Sequence, residues 1–414
     1  MASTPQNPQS ATTTFLDQPP SCLQFCPKSP NHFVVGTYVL SETKTEDGSI
    51  QQKKTGSVQL WGLDPGANSL SLAQRIPLDY AVFDLHFHAE DPQLFAIASS
   101  VGSVALFKLD SPCSSSTPQI NHIWTLPVHE DPSTPALFLA WMPNSWLPES
   151  RDGFAVTFSD GRTSIFGTTP GEKIVDQSSI SELGHFDARQ TIEVWFVALA
   201  AYQDNPADRG QARVPFLFTG NDFGSLHTRR FNLDNTSNEE AEDVEQNALP
   251  SLLLDHDDRS RHHSAGVTSI LPLPVPLIGD APLLFTGSYD EYLRVCHATL
   301  KGNTLAEIHL GGGVWRLQLL RTEKPAASDV EGSEWRFLIL ASCMHAGTRV
   351  VRVTWRPHDG RDDDWEMGIL AEFKEHESMN YASDTWKGND RDGELVCVSS
   401  SFYDRRVCLW RAEV

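Results

Sequence analysis

A short sequence pattern recurs seven times along this chain. Each copy contains about six residues that suit a β-strand, and most copies follow another apolar run across a short polar turn. The copies are spaced 46, 59, 63, 67, 56 and 58 residues apart, and they start at Gly56, Gly102, Gly161, Gly224, Glu291, Gly347 and Arg405. Recurrence on this scale predicts a repeat architecture instead of a series of unrelated domains.

The repeating unit is a small antiparallel sheet. A further apolar segment precedes most copies, for example AVFDLHFH at 81–88 and GVTSILPLP at 266–274, so that a unit contains several strands of roughly five or six residues. One such sheet cannot bury both of its apolar faces, whereas seven sheets stacked radially bury them and protect their edges. The sequence therefore predicts an all-β fold: a seven-bladed β-propeller with long surface loops.

The domain boundaries follow from the polar segments. We predict a disordered N-terminal tail at 1–12 and a single propeller over 13–414. Residues 232–262 are long and acidic, and we predict that they form a disordered loop between the fourth and fifth repeats. The segment TTTFLD at 12–17 is placed to close the ring against the last blade.

The charge of the chain limits its partners. The sequence has 32 Lys and Arg residues against 54 Asp and Glu residues, a formal net charge of −22. Such a surface repels phosphate backbones and anionic membranes, so we expect no direct nucleic-acid partner and no membrane partner. No window approaches a membrane-spanning apolar run, and the first 15 residues lack the basic and apolar regions of a secretory signal.

The cysteines indicate a reducing compartment. There are seven, an odd number, and no Cys-x-x-Cys pair occurs. Most lie in apolar runs, where a small buried thiol is the ordinary interpretation. We therefore expect a soluble, cytoplasmic protein, and we expect it to be a monomer.

Sequence motifs of common enzyme classes are missing. The chain has no Gly-x-Ser-x-Gly elbow, no His-Glu-x-x-His helix, no phosphate-binding loop and no Gly-x-Gly-x-x-Gly after a strand. The 15 histidines show no zinc-finger spacing with the cysteines, so we expect no metal site.

Polar and aromatic residues gather where strands begin and where turns connect them. In a propeller these positions meet at one mouth of the central channel, so we expect Glu193, Trp315, His345, Tyr381 and Asp384 to converge there. The neighbouring candidates are Trp195, Trp386, Tyr403 and Asp404.

The turn Ser288-Tyr289-Asp290-Glu291 has a structural interpretation. A short carboxylate accepts hydrogen bonds from nearby backbone N–H groups, so we predict that Asp290 forms this corner and that Ser288 assists it.

The repeats resemble the WD-repeat family, although the closing Trp-Asp dipeptide is replaced, as at Trp61-Gly62 and Trp410-Arg411. The ordered motifs TGSYDE, GGVWR, CMHAG and SFYD, together with LDQPPSCLQFCP near the N-terminus, resemble one branch of it, the diphthine methyl ester hydrolases of diphthamide biosynthesis. Cys296-His297 after the TGSYDE hairpin and the ending HTRRF at 227–231 depart from the family's pattern at positions where blades pack.

The resemblance implies a reaction and a partner. Family members remove the methyl ester of methylated diphthine on translation elongation factor 2 and release methanol, with no cofactor. On that interpretation His345 is the general base, Asp384 or Glu193 orients it, and Tyr381 or a backbone amide supports the oxyanion. The trimethylammonium group of the substrate is held by cation–π contacts. The candidate substrate-binding residues are Trp195, Trp315, Trp386, Tyr403 and Asp404.

Structural alternatives stand beside each of these roles. His345 can have a purely structural role in its turn, and the tryptophans can serve only to pack the blades against one another. Cys343 is a conceivable nucleophile, but the apolar run before it favours a buried thiol. A non-catalytic scaffold that binds elongation factor 2 or another protein is the competing function, because propellers host more binding modules than enzymes.

Overall fold

The computed structural model describes residues 4–44, 49–110, 117–144, 146–147, 151–203, 213–232, 249–324, 334–358, 363–388 and 393–414. Within these ranges the chain folds into strands, with a 3-10 turn at Gln177–Ser179 and no α-helix. The apolar segments of the repeats lack the 3.6-residue period of an amphipathic helix, which explains why strands form throughout.

The strands form seven sheets, each of which runs from an innermost strand at the channel to an outermost strand. In that order, the first sheet contains β2 (Pro20–Phe25), β3 (His32–Thr37), β5 (Ile50–Asp64) and β6 (Ser69–Leu78), and β4 (Val39–Lys44) also pairs with β5. The second contains β7 (Val82–Phe87), β8 (Leu94–Ser99), β9 (Ser103–Asp110) and β10 (Gln119–Pro127). The third contains β11 (Ala136–Trp141), β12 (Gly153–Phe158), β13 (Thr163–Thr168) and β14 (Ile180–Phe186). The fourth contains β15 (Val194–Gln203), β16 (Arg213–Asn221), β17 (Leu226–Asn232) and β18 (Ser251–Asp257).

The remaining sheets follow the same plan. The fifth contains β19 (Val267–Pro272), β20 (Leu283–Ser288), β21 (Tyr292–His297) and β22 (Asn303–His309). The sixth contains β23 (Arg316–Glu323), β24 (Trp335–Ser342), β25 (Thr348–Arg356) and β26 (Asp364–Phe373). The seventh contains β27 (Asn380–Thr385), β28 (Glu394–Ser401), β29 (Arg406–Glu413) and β1 (Ser10–Phe15).

The sheets close into a ring. Each innermost strand contacts the innermost strand of the next sheet, and β27 returns to contact β2. The N-terminal β1 completes the seventh sheet by pairing antiparallel with β29, with Thr13 opposite Cys408. The predicted seven-bladed propeller and its closure by the TTTFLD segment are therefore confirmed.

The recurring pattern corresponds to the third strand of each sheet. These strands are buried on both faces, since each sheet packs against two neighbours. Large aromatic side chains fill the space between sheets, and Phe95, Phe107 and Phe154 are fully buried there. Six cysteines of the described chain are free and buried, as their apolar surroundings predicted.

Two predicted disordered segments need correction. In the tail, the backbone N–H of Gln6 donates to Leu370 at 2.8 Å and its carbonyl accepts from Glu372 at 2.8 Å, and β1 already begins at Ser10. These main-chain bonds hold residues 4–12 against the sixth and seventh sheets. In the segment 232–262, Ser251–Asp257 forms the outer strand β18, while residues 233–248 lie outside the described ranges.

The corner at Asp290 forms as predicted. Its carboxylate accepts from the backbone N–H of Ser264 at 3.0 Å and of Tyr292 at 3.3 Å, and it pairs with Arg294 at 2.8 Å. The Ser288 hydroxyl receives the backbone N–H of Asp290 at 3.2 Å, so the turn is pinned by its own side chains.

Candidate functional site

The innermost strands all begin at one mouth of the central channel, and three of them carry an aromatic residue at a β-bulge there. The pairing register skips one residue between Val82 and Asp84, between Val194 and Phe196, and between Asn380 and Ala382. The skipped residues are Phe83, Trp195 and Tyr381. A bulge re-aims a side chain out of the ladder, which places these rings at the mouth instead of between blades.

The rings at the mouth form a continuous arc around the channel. Ring centroids lie 5.5 Å apart for Trp195 and Trp315, 5.1 Å for Trp315 and Tyr381, 5.5 Å for Tyr381 and Phe402, 6.0 Å for Phe402 and Tyr38, and 5.4 Å for Tyr38 and Phe83. Most pairs are edge-on or tilted, so ring faces are turned towards several directions. The arc spans residues from the first, second, fourth, sixth and seventh sheets.

Tyr289 adds a phenol to this arc, at 5.8 Å from Trp315 and 6.4 Å from Trp195. Burial, followed by the charge of Asp222, raises the pKa of Tyr289 far above its ordinary value. Burial also raises the pKa of Tyr381. Both phenols therefore remain protonated hydrogen-bond donors at neutral pH.

Two carboxylates lie beside the arc. The indole N–H of Trp195 donates to Asp222 at 2.7 Å, which fixes the orientation of the ring. Glu193 is half-buried, and its backbone carbonyl accepts the N–H of Asp222 at 2.9 Å. Its carboxylate lies near Tyr289, because its charge adds to burial and to Asp222 in raising the pKa of that phenol. The mouth thus combines aromatic faces with negative charge, a combination that suits a cationic ligand.

Arg316 forms the floor beneath the arc. Its guanidinium reaches across the channel to Asp84 at 3.1 Å and donates to the carbonyl of Thr268 at 2.9 Å. It also stacks on Phe138, with 4.8 Å between the guanidinium carbon and the ring centroid. Burial alone raises the pKa of Asp84, but Arg316 and then His86 outweigh burial and hold that pKa below its ordinary value.

The structure separates two of the predicted catalytic residues. His345 is exposed in the turn between β24 and β25, on the mouth face. Asp384 is buried four residues along β27 from Asn380, so it lies about 13 Å down the channel wall. Its carboxylate accepts the backbone N–H groups of Phe25 and Thr385 at 2.7 Å each, which ties the seventh sheet to the first. The expectation that Asp384 converges with His345 and orients it is therefore wrong.

Trp386 lies at the opposite end of the channel. Its indole N–H donates at 2.8 Å to the side chain of Asn31, which occupies the turn between β2 and β3. That turn faces away from the mouth, because β2 begins at the mouth and runs away from it. The predicted grouping of Trp386 with Trp195 and Trp315 is wrong, and only the latter two share a site.

The turn between β28 and β29 contains two of the predicted substrate-binding residues, Tyr403 and Asp404, and their surroundings differ. Tyr403 is 70% exposed on the mouth face, where it contacts Phe402 at 5.0 Å. Asp404 accepts the Ser378 hydroxyl at 2.6 Å and the Glu377 backbone N–H at 3.2 Å, which are contacts of a turn. Cys343 is fully buried, and burial raises the pKa of its thiol to about 12.

Sequence reasoning missed several residues of the mouth: Tyr38, Phe83, Asp84, Tyr289, Arg316 and Phe402. The sequence carried a signal for one of them. Phe83 occupies the same position at the start of its repeat's first strand as Trp195 and Tyr381 occupy in their repeats. Among the described residues, no group of three His, Cys, Asp or Glu side chains is arranged to hold a metal ion. No helix in the described ranges has the length and hydropathy needed to cross a membrane.

Comparisons with known proteins agree with the sequence motifs. No protein-family model matches the chain. The diphthine methyltransferase of Schizosaccharomyces pombe is 36% identical over 149 residues, which cover 36% of this chain and 38% of that protein. The diphthine methyltransferase homolog of Dictyostelium discoideum is 21% identical over 416 residues, 96% of this chain and 98% of that protein. The diphthine methyltransferase of Mus musculus is 22% identical over 87% of this chain and 66% of that protein.

The similarity to the fission-yeast relative therefore spans well under half of that relative's length. Among solved structures, Sqt1 of Chaetomium thermophilum, bound to the N-terminus of ribosomal protein L10, superposes with a TM-score of 0.57 at 13% identity, over 99% of this chain and 100% of that one. At this identity the likeness shows the propeller fold alone. The resemblance to the diphthine methyl ester hydrolase family is confirmed by the curated relatives, which tie the chain to diphthamide biosynthesis.

Proposed function

We propose that this protein hydrolyses the methyl ester of diphthine on translation elongation factor 2, so that a later step can amidate the carboxylate. The observation that carries the proposal is the arc of aromatic rings beside Glu193 and Asp222 at the channel mouth. The curated relatives support the pathway, and the site supports the chemistry. We place the reaction in the cytoplasm and assign the active unit as the monomer.

The aromatic arc matches the cation of the substrate. Diphthine carries a trimethylammonium group, which cannot donate hydrogen bonds and is bound by ring faces and negative charge. Trp195, Trp315 and Tyr381 supply the faces, and each contact contributes about 0.5–2 kcal/mol. Asp222 holds the Trp195 ring in place at 2.7 Å.

Ester hydrolysis needs a base and donors for the oxyanion, and the same mouth offers both. We assign Glu193 as the base that takes a proton from water as the water oxygen attacks the ester carbonyl. The protonated phenols of Tyr289 and Tyr381 donate to the developing oxyanion. Collapse of the tetrahedral intermediate breaks the bond to methoxide, which receives the proton from Glu193 and leaves as methanol.

His345 is the alternative base. It lies on the mouth face and is exposed, so a protein substrate can reach it. No carboxylate among the described residues hydrogen-bonds to its ring, however, whereas the charge of Glu193 lies close enough to Tyr289 in the arc to contribute, after burial and Asp222, to the raised pKa of that phenol. Glu193 is therefore preferred.

The test uses elongation factor 2 that carries the methyl ester. The protein should release one methanol per modified side chain without any added methyl donor. The relatives are named methyltransferases, so a parallel reaction with S-adenosylmethionine separates the two chemistries. A gain of a methyl group that requires this donor would contradict hydrolysis.

A non-catalytic scaffold is the second candidate, and exposed apolar residues on the mouth face favour it. Val101, Phe223 and Tyr403 occupy turns around the mouth and are 37%, 58% and 70% exposed. Such turns suit contact with a protein surface. Tight binding of modified elongation factor 2 with no loss of the methyl ester would establish the scaffold instead.

A further inference from the structure

The first sheet carries a two-stranded ribbon that the propeller itself does not require. β4 pairs with the first part of β5 in six cross-strand pairs, from Val39 opposite Thr55 to Lys44 opposite Ile50. The sheet proper begins only at Gly56, where β5 meets β6. At about 3.3 Å per residue, the ribbon extends roughly 20 Å beyond the blade.

The base of the ribbon lies at the channel mouth. It leaves β3 at Thr37, which stands opposite Pro20, the first residue of β2. Tyr38, at the start of the ribbon, is part of the aromatic arc through Phe83 and Phe402. A protein that inserts a side chain into the mouth therefore passes beside this ribbon.

One face of the ribbon combines apolar and cationic groups. Alternation along the strands puts the pairs Leu40–Lys54, Glu42–Gln52 and Lys44–Ile50 on that face. Leu40 and Ile50 are 46% and 58% exposed. The one carboxylate among these six residues, Glu42, accepts the Gln52 amide at 2.9 Å, whereas neither lysine forms an ion pair with a described residue.

We propose that this ribbon is a docking arm, and that its Leu40, Ile50, Lys44 and Lys54 face binds an acidic, partly apolar surface of the protein substrate. The identity of that partner rests on the proposed function. In a chain of net charge −22, a local cationic face attracts an acidic surface that the rest of the protein repels. The difference in charge between the arm and the rest of the surface fixes the orientation of the partner and aligns its modified side chain with the mouth.

The experiment compares two apolar-to-acidic variants. Leu40→Asp/Ile50→Asp changes the arm, and Leu300→Asp is the matched control, because Leu300 is 66% exposed in a turn at the opposite face. We measure the Kd for modified elongation factor 2 by calorimetry, and kcat and KM on that protein and on a small diphthine methyl ester. The arm variant should weaken Kd and raise KM for the protein about tenfold, with kcat, the small ester and Tm unchanged.

Charge is tested separately. Lys44→Glu/Lys54→Glu should slow association at low salt, and the difference from wild type should fade as salt is raised. An arm variant whose Kd matches that of Leu300→Asp overturns the docking arm. If the wild type binds the partner but releases no methanol, the proposed function fails. The comparison of Kd values between the arm variant and Leu300→Asp still tests whether the ribbon is a docking arm. A wild type that neither binds nor hydrolyses overturns both.

Discussion

Replacing Arg316 with leucine will destabilise the fold, because the change leaves a buried carboxylate without its cation. The guanidinium lies 3.1 Å from Asp84, whose side chain is 6% exposed. It also satisfies the carbonyl of Thr268 at 2.9 Å and that of Trp315 at 3.0 Å. Leucine retains apolar contact with Phe138 but offers none of these hydrogen bonds.

The loss has a magnitude and a pH dependence. Removing one partner of a buried ion pair costs about 3–5 kcal/mol, and we expect about 3 kcal/mol at neutral pH because the Arg316 side chain keeps 17% exposure. In the wild type the lowered pKa of Asp84 contributes stability above the ordinary carboxyl pKa, and that stability is lost as the pH falls. In the variant Asp84 keeps His86 and the Leu85 N–H but loses Arg316, so its pKa is higher than in the wild type and the deficit shrinks as the pH falls towards the carboxyl range.

Urea unfolding followed by tryptophan fluorescence measures the free energy of unfolding across this pH range. Arg356→Leu is the matched control, since Arg356 forms solvent-exposed ion pairs in the sixth sheet and its loss should leave the free energy of unfolding nearly unchanged. The double variant Arg316→Leu/Asp84→Leu should recover most of the loss. An Arg316→Leu protein as stable as the control, or a deficit that does not change with pH, would refute the reasoning.

Three further outcomes follow from the contacts. Trp195→Ala should raise KM for the methylated diphthine substrate between roughly twofold and thirtyfold in a steady-state assay, whereas Trp386→Ala at the far end of the channel should leave KM unchanged. Asp384→Ala should lower the free energy of unfolding by about 1–3 kcal/mol because the Phe25 N–H loses its acceptor, while Asp384→Asn keeps an acceptor and should cost much less in the same urea titration. His376 bonds Ser399 and Ser401, and burial lowers its pKa to about 4. Its contribution to stability is therefore complete above the ordinary histidine pKa and falls by about 1.4 kcal/mol per pH unit between that pKa and about 4, a slope that His376→Gln should flatten.

The propeller was predictable because its signals are local and repeated. Each hairpin carries its own apolar strands and turn residues, and Asp290 binds Tyr292 and Arg294 of its own hairpin. The closing strand was also predictable, since TTTFLD is the remaining strand-like segment at the N-terminus and β29 needs a partner. The order of residues 4–12 was not, because it depends on main-chain bonds to Leu370 and Glu372, far along the chain.

The site was only partly predictable. Trp195 and Tyr381 stand at the starts of innermost strands, so their meeting follows from the fold. Asp384 was grouped with Tyr381 by closeness in sequence, although three residues along a strand move a side chain about 10 Å down the channel. The Arg316–Asp84 pair joins the sixth and second sheets across the ring, and no local pattern connects two residues that are 232 positions apart.

The most direct test is a mass-spectrometric time course on methylated elongation factor 2, with wild type and Glu193→Gln compared at equal concentration. The wild type should convert the modified histidine to the free acid, with loss of one methyl ester and release of methanol. Glu193→Gln should bind the substrate but convert it at least about a hundredfold more slowly, the scale of a lost general base. Undiminished conversion by Glu193→Gln would contradict the assignment of Glu193 as the base, and no conversion by wild type that binds its substrate would contradict the esterase itself.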